Sequence, residues 1–285
     1  MRQFWVRPGK FCQALGCVCV IIGIGSPLKA EIIEHQKHVY RLGVVPQFGQ
    51  RKIFRIWVPI IERLERETGL KFELVGSHQI PTFEKKFMSG KFDFAYMNPY
   101  HVVHANSSQG YIPLVRDGSR KLQGIIVVRK DDLIKEVKAL SGKPVAYPSA
   151  KALGASLLPR FELKEKFNIT TKPVYVKTHT SVYLHVAQTL VDAGGGVVST
   201  LEQQHPRVRK LLRILYYTKS VNPHPFVAHP RVPAAHMRKV QRAFINMSKT
   251  KAGKLLLQKI PMKTAVTATM SDYEVVRKLN LQKVK

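Results

Sequence analysis

Acidic residues are scarce in this chain of 285 residues: 18 Asp and Glu face 47 Lys and Arg, a formal net charge of +29. Cysteine is scarcer, and its three copies, Cys12, Cys17 and Cys19, all fall in the first 30 residues. That stretch reads as a secretory signal, with Arg2, Arg7 and Lys10 at a basic start, an apolar run over 11–25, and "SPLKA" offering cleavage after Ala30. The run is short for a bilayer, so cleavage and export are expected, with an uncleaved N-terminal anchor as the alternative. Without residues 1–30 the chain keeps 43 Lys and Arg against 18 acids, a net charge of +25, and no thiol. Disulfides, thiolate metal sites and cysteine nucleophiles are excluded from that part.

Catalytic signatures are lacking as well. The chain carries no GxSxG elbow, HExxH helix, P-loop or GxGxxG turn, so no enzyme class is indicated and no cofactor is expected. The pairs His35/His38, His101/His104 and His224/His229 have no acidic or thiolate companions in a ligand pattern, and they read as surface histidines rather than metal ligands. The positive charge raises nucleic-acid binding. The cations are scattered, however, and no motif interleaves them with aromatics, so nucleic acid is not an expected partner.

What is present is an alternation of strands and helices. Strands are expected at 39–46, 71–76, 92–97, 121–132, 143–149, 171–179, 195–200 and 212–218. Between them, 50–69 reads as an amphipathic helix with Ile53, Ile56, Trp57, Ile60, Ile61 and Leu64 on one face and Gly69 as its stop. Further helices are expected at 81–91, at 98–108 with Asn98 as cap and Pro99 in the first turn, at 180–194 and at 234–250, and "GGG" at 194–196 reads as a tight turn before a strand. This order predicts an α/β protein with largely parallel sheets in two blocks. The expected organisation is a signal peptide at 1–30, one lobe from 39–122 plus 224–285, and a second from 123–223. The ligand cleft lies between the lobes, with a hinge near 122–125 and 219–225.

Several helix starts share an unusual feature. "VVPQFGQRKIF", "AYMNPYH", "AYPSAKAL" and "VKTHTSVY" each run from strand to helix with no acid in the first turn. Acids usually complement the positive end of the helix dipole. Their absence, with small residues at Ala150, Ala152 and Gly154, suits an oxyanion approaching unpaired backbone N–H groups. Ser149, Thr180 and Ser181 can add hydroxyl donors, and Tyr96 or Tyr100 a phenol. His179 is expected to donate more strongly at low pH, as an imidazolium. Pro159, two turns past Ser149, should free a carbonyl near Ala155 and bend its helix.

The segments "LGVVP", "WVPIIERLERETGLKFELV", "FEKKFMSGKFDFAYMNPYHVVHA", "AYPSAKALGASLLPR", "KTHTSVYLHVAQTLVDAGGGV" and "HPFVAHPRVP" resemble, in order, the phosphate/phosphite/phosphonate solute-binding proteins of ABC transporters. The resemblance spans about residues 40–250. It implies a two-lobed periplasmic-binding-protein fold of type II that closes on a small oxyanion, and a monomer that serves a membrane permease from the periplasm. By position it implies ligand contacts from Tyr96 or Tyr100, from Ser149, Ala150 and Lys151, and from His179, Thr180 and Ser181. Ala150 and Ala152 stand where the family is rich in hydroxyls, and glycines where aminophosphonate binders carry an acid. Simpler oxyanions are therefore expected before aminophosphonates. A sensory protein of the same fold, reporting a different small molecule to a membrane partner, is the alternative.

Overall fold

A computed structural model describes residues 38–279 and residue 281; the expected signal segment lies outside them. The first part of the chain forms β1 (Val39–Val44), α1 (Gln50–Thr68), β2 (Lys71–Val75), α2 (Ile80–Met88), β3 (Phe94–Tyr96), α3 (Pro99–Gln109) and β4 (Ile112–Asp117). The middle contributes β5 (Leu122–Arg129), β6 (Pro144–Tyr147), α4 (Leu158–Phe167), β7 (Lys172–Tyr175), α5 (His179–Ala187), β8 (Ala193–Val197), α6 (Val198–Glu202), α7 (Pro206–Arg209) and β9 (Leu212–Val221). The chain then returns with β10 (Phe226–Ala228), α8 (Ala234–Met247), α9 (Lys251–Leu257), β11 (Ala265–Thr267) and α10 (Glu274–Lys278).

These strands make two sheets, each the centre of one lobe. The six-stranded sheet has the order β11-β4-β10-β3-β1-β2, and the five-stranded sheet β7-β6-β8-β5-β9. Neither is largely parallel as the alternation suggested. β1 pairs in parallel with β2 and β3, while β10 enters antiparallel between β3 and β4. Likewise β6 is parallel to β7 and β8, whereas β5 runs antiparallel to both β8 and β9. The physical reason is the return of the chain: a strand coming back from the other lobe enters the sheet in the opposite sense. The crossings are 118–121, between β4 and β5, and 222–225, between β9 and β10.

The first lobe is held by aromatic packing. Trp57, on the apolar face of α1, lies 5.1 Å from Tyr96, and Phe226 lies 4.6 Å from Phe244 between ring centroids. Gly69 ends α1 in the left-handed conformation (φ 70°), its N–H bonded to the Glu65 carbonyl. In the second lobe, apolar residues cover both faces of the sheet. Ile125, Val127 and Ala146 pack beneath α5, and Ile126, Val128, Val145 and Tyr147 meet Leu163 of α4. The large core of the first lobe continues without interruption into Ala152, Leu153, Ala155 and Val197 of the second, so the lobes meet in a closed arrangement.

Gly194, Gly195 and Gly196 form no turn: the strand expected from 195 starts earlier, at Ala193, and all three glycines lie buried within β8. A side chain on Gly194 would meet Val182 at 2.6 Å, one on Gly195 the Ala155 carbonyl oxygen at 2.0 Å, and one on Gly196 the Tyr183 hydroxyl at 2.2 Å. The strand is glycine because elements lie directly against its backbone on both faces. Helix α5 correspondingly stops at Ala187, seven residues short of its expected end, and Thr189 turns the chain with φ 58°.

Candidate functional site

Strand β6 delivers the chain to Ser149 at the edge of the cleft, and a tight turn follows, with the Ala152 N–H donating to the Ser149 carbonyl at 3.3 Å. The helix expected directly after Ser149 starts only at Leu153, and its first turn is a π-helical segment, Leu153–Leu157, continuous with α4. Pro159 accounts for this. It sits in the first turn of α4, where it has no N–H to give to Ala155, and that carbonyl packs against Gly195 instead. The first bonds of the segment run from the Ser156 and Leu157 N–H groups to the Ala152 carbonyl. The N–H groups of Leu153, Gly154 and Ala155 therefore precede the helical ladder, as the first donors of a helix do.

Between the lobes these residues line a small cavity of about 10 Å³. Ala152, Leu153, Gly154, Ala155, His179 and Val197 come from the second lobe, and Val45, Gln47, Ile80, Asn98 and His224 from the first. In this closed state the space is that of about one water. No carboxylate and no ammonium or guanidinium group is among its lining residues.

Each polar wall residue has a defined local support. Asn98 caps α3, its side-chain oxygen accepting from the His101 N–H at 2.9 Å. Thr178 caps α5, accepting from the Ser181 N–H at 3.1 Å. His179, at the first position of α5, is buried, with Nδ1 3.0 Å from the Thr200 hydroxyl. Its backbone N–H donates across the cleft to the Gln47 carbonyl at 3.2 Å. Gln47 Nε2 lies 3.4 Å from His224 Nε2, and the His224 ring stacks on Tyr96 at 5.5 Å. Burial pushes His179 down to about 4 and His224 down to about 3, the latter with added repulsion from His101 and His179. Both imidazoles are therefore neutral across the physiological range. The imidazolium expected for His179 at mildly low pH does not form, because an apolar wall disfavours the charged ring.

The residues proposed from sequence are distributed as follows. His179 lines the cavity. Tyr96 lies beside it, its hydroxyl donating to the Ile260 carbonyl at 2.9 Å, and burial raises its phenol well above the usual range. Tyr100 is half-buried on α3 with its ring 4.3 Å from His104. Ser149 is buried and accepts a long bond, 3.4 Å, from the Lys151 N–H. Ala150 is exposed, and Thr180 and Ser181 are half-buried on the first turn of α5. Gln47, Asn98 and His224 are the polar wall groups that the sequence reading did not assign to the ligand, whereas the backbone N–H groups it expected at the helix start after Ser149 correspond to Leu153–Ala155. Asn98 was visible as a cap, but no spacing signal marks the others.

Lys151 reaches a different partner. Its ammonium lies 3.3 Å from Glu84 Oε2 on α2 of the first lobe, a cross-lobe ion pair. Glu84 Oε1 in turn lies 3.1 Å from His101 Nε2. Burial would raise the Glu84 carboxyl, but the bond and charge of His101 and then Lys151 outweigh it and hold it below the ordinary value. His101 is not a surface residue: it is buried against Phe83 and Phe87, and burial holds it below its ordinary value despite Glu84. His101 Nε2 lies between Glu84 Oε1 at 3.1 Å and Asn98 Nδ2 at 3.2 Å, and its Nδ1 is buried with no hydrogen-bond partner. His224 is likewise buried rather than exposed.

A larger chamber of about 320 Å³ adjoins the cavity and shares Gln47, Val197 and His224 with it. Its other walls include Arg120 and Lys121 from the first crossing, Gln123 from β5, Ser199 and Glu202 from α6, and Ser220 and Pro223 near the second crossing. Lys121 is tied to Asn222 by a 2.6 Å bond that joins the two crossings.

A family model of the periplasmic substrate-binding protein of phosphonate ABC transporters matches residues 42–273. A phosphate-import protein, PhnD, of Mycolicibacterium smegmatis is 24% identical over 206 residues, 65% of this chain and 64% of that protein, so the match spans under two thirds of the relative's length. The fold superposes on a binding-protein component of a phosphonate ABC transporter from Pseudomonas aeruginosa with a TM-score of 0.79 at 15% identity, covering 87% of each chain. It also superposes on PhnD1 of Prochlorococcus marinus, solved in complex with methylphosphonate, with a TM-score of 0.77 at 16% identity over 86% of this chain and 98% of the other. Identities this low establish the shared two-lobed fold, and no helix among the described residues is long and apolar enough to cross a membrane. With a family match running from β1 to the turn before α10, this chain belongs to the periplasmic substrate-binding proteins of phosphonate ABC transporters.

Proposed function

We propose that this protein is the exported substrate-binding component of an ABC-type importer, and that it holds a small tetrahedral oxyanion of the phosphate, phosphite and phosphonate class between its lobes. It acts as a monomer in the periplasm and presents the closed complex to a membrane permease. The observation that carries this reading is the cavity at the lobe interface, where the first N–H groups of the Leu153 helix and the neutral side chains of Gln47, Asn98, His179 and His224 converge with no carboxylate among them. Such a wall suits an anion by directed donors and a helix dipole, and it offers an amine or metal cation no charged partner. The cavity's size in the closed state requires the lobes to part before a ligand enters.

Calorimetry with inorganic phosphate, phosphite and methylphosphonate tests the reading. Binding of at least one is expected, with a stabilisation of about 2.7 kcal/mol when that ligand is present at 100 times its Kd. Ala152→Asp sets a carboxylate before the Leu153–Ala155 donors and should abolish binding, while Ala152→Asn, equal in size and uncharged, should retain much of it. Equal binding by the Asp and Asn variants would remove the anion from this helix start.

A further inference from the structure

The cavity and the chamber are neighbours with a shared wall of Gln47, Val197 and His224. The cavity's remaining lining includes Leu153–Ala155 from one lobe and Ile80 and Asn98 from the other, and none of these lines the chamber. A substituent on a ligand whose oxyanion occupies the cavity therefore leaves past the Gln47–His224 contact and enters the chamber. The two compartments differ sharply in charge. The cavity is lined by neutral groups, whereas Arg120 and Lys121 both line the chamber. Glu202 is the one acid on the chamber wall, set against two cations, and the backbone beside it is a site of cation contact: Arg209 Nη1 donates to the Glu202 main-chain carbonyl at 3.1 Å and Lys52 Nζ to the Gln203 main-chain carbonyl at 3.4 Å. The chamber's volume of about 320 Å³ exceeds by far what a methyl group needs.

We propose that the chamber receives a second acidic group of the ligand, so that the substrate class is a phosphonate or phosphate ester bearing a carboxylate or second phosphoryl group on a short linker, with Arg120 as its specificity-determining partner. This rests on the oxyanion reading of the neighbouring cavity. The head is recognised by directed neutral donors and the tail by charge. A guanidinium suits that second task because its fork pairs with carboxylate or phosphoryl oxygens while its charge stays fixed at any physiological pH.

Calorimetry on the purified protein with methylphosphonate, phosphonoacetate, 3-phosphonopropionate and 2-aminoethylphosphonate separates the possibilities. One of the carboxylated ligands should bind roughly tenfold to a hundredfold more tightly than methylphosphonate, the worth of one charge-assisted bond. Arg120→Gln should lower the ratio of carboxylated to methyl affinity by a similar factor, and Glu202→Gln should raise it. Equal wild-type affinities for methylphosphonate and both carboxylated ligands would overturn the proposal, as would tightest binding of the amine with that preference lost in Glu202→Gln. The wild-type comparison stands without any variant. If none of the four ligands nor inorganic phosphate binds, the oxyanion reading of the cavity falls instead.

Discussion

The two lobes build their walls of the cleft from different materials. The first lobe presents side chains, Gln47, Asn98 and His224, on a frame of large buried rings. The second presents mostly backbone, the Leu153–Ala155 turn, and keeps that backbone in place with glycines directly behind it. Gly195 admits the Ala155 carbonyl to a distance that any Cβ would forbid, and Gly124 does the same for the Gly154 carbonyl oxygen, which a Cβ there would meet at 2.2 Å. One wall can thus be altered by changing what points into the cleft, and the other by changing what lies behind it.

That contrast makes definite predictions. The largest effect is on the stability of the ring-framed lobe. Phe244→Ala removes a fully buried ring packed on Phe226 and should cost about 3–5 kcal/mol in denaturant unfolding, while ligand affinity at saturating folded protein stays within a few-fold. A large loss of affinity in that variant would mean that the frame and the wall are not separable.

Acid should then act on both walls together. His179 and His224 have folded-state values of about 4 and about 3, below the ordinary value of about 6.5. Unfolded chains bind the extra protons first, so the stability due to these rings is complete above about pH 6.5 and is lost as the pH falls toward 4 and below. Each ring contributes on the order of 3 kcal/mol to that loss. Chemical denaturation at pH 7, 5.5 and 4 checks it: His179→Asn and His224→Gln should each flatten the dependence relative to the wild type, and unchanged slopes would show that the rings are charged in the fold.

Gly195→Ala comes next in stability, at about 1–3 kcal/mol for overpacking, but it should cost the most in binding, tenfold or more, because the displaced Ala155 carbonyl carries the donor turn with it. Loss of stability without loss of affinity would separate the strand from the site. The smallest effect belongs to the cross-lobe pair. Glu84→Gln should change stability by about 1 kcal/mol or less, since the Lys151 side chain is 57% exposed. Its readout is solution scattering, where the ligand-free variant should be more open than the wild type; an unchanged curve would assign closure to the apolar contact alone.

Much of this was legible in the sequence because it is periodic. The apolar stripe of α1 and its Gly69 stop, the Asn98 cap with Pro99 behind it, and the Thr178-His179 helix start each follow from local spacing and end chemistry. The strand at the β8 glycines was legible but its start and the reason for the glycines were not, since three glycines signal a turn unless one knows that α5 and the Leu153 turn press on them from both sides. The start of the helix after Ser149 was misplaced for a related reason: the π-helical turn before Pro159 answers to β8, far away in sequence. Gln47 and His224 sit in loops without a pattern, and Glu84 meets Lys151 only because the lobes close. What a lobe does by itself is written locally; what two lobes do together is not.

The double crossing has one more consequence. β5 and β9 are paired up to Leu122 and Val221, and the Lys121–Asn222 bond ties the connecting segments just beyond them. Two short tethers side by side behave like the two pins of a door, permitting a swing and resisting both twist and slide. A single tether would let the lobes return in many alignments, and each ligand would have to find the right one. With two, the chain itself favours the one alignment seen here, the amide of His179 against the carbonyl of Gln47, so the alignment of the walls does not draw on the ligand's binding energy.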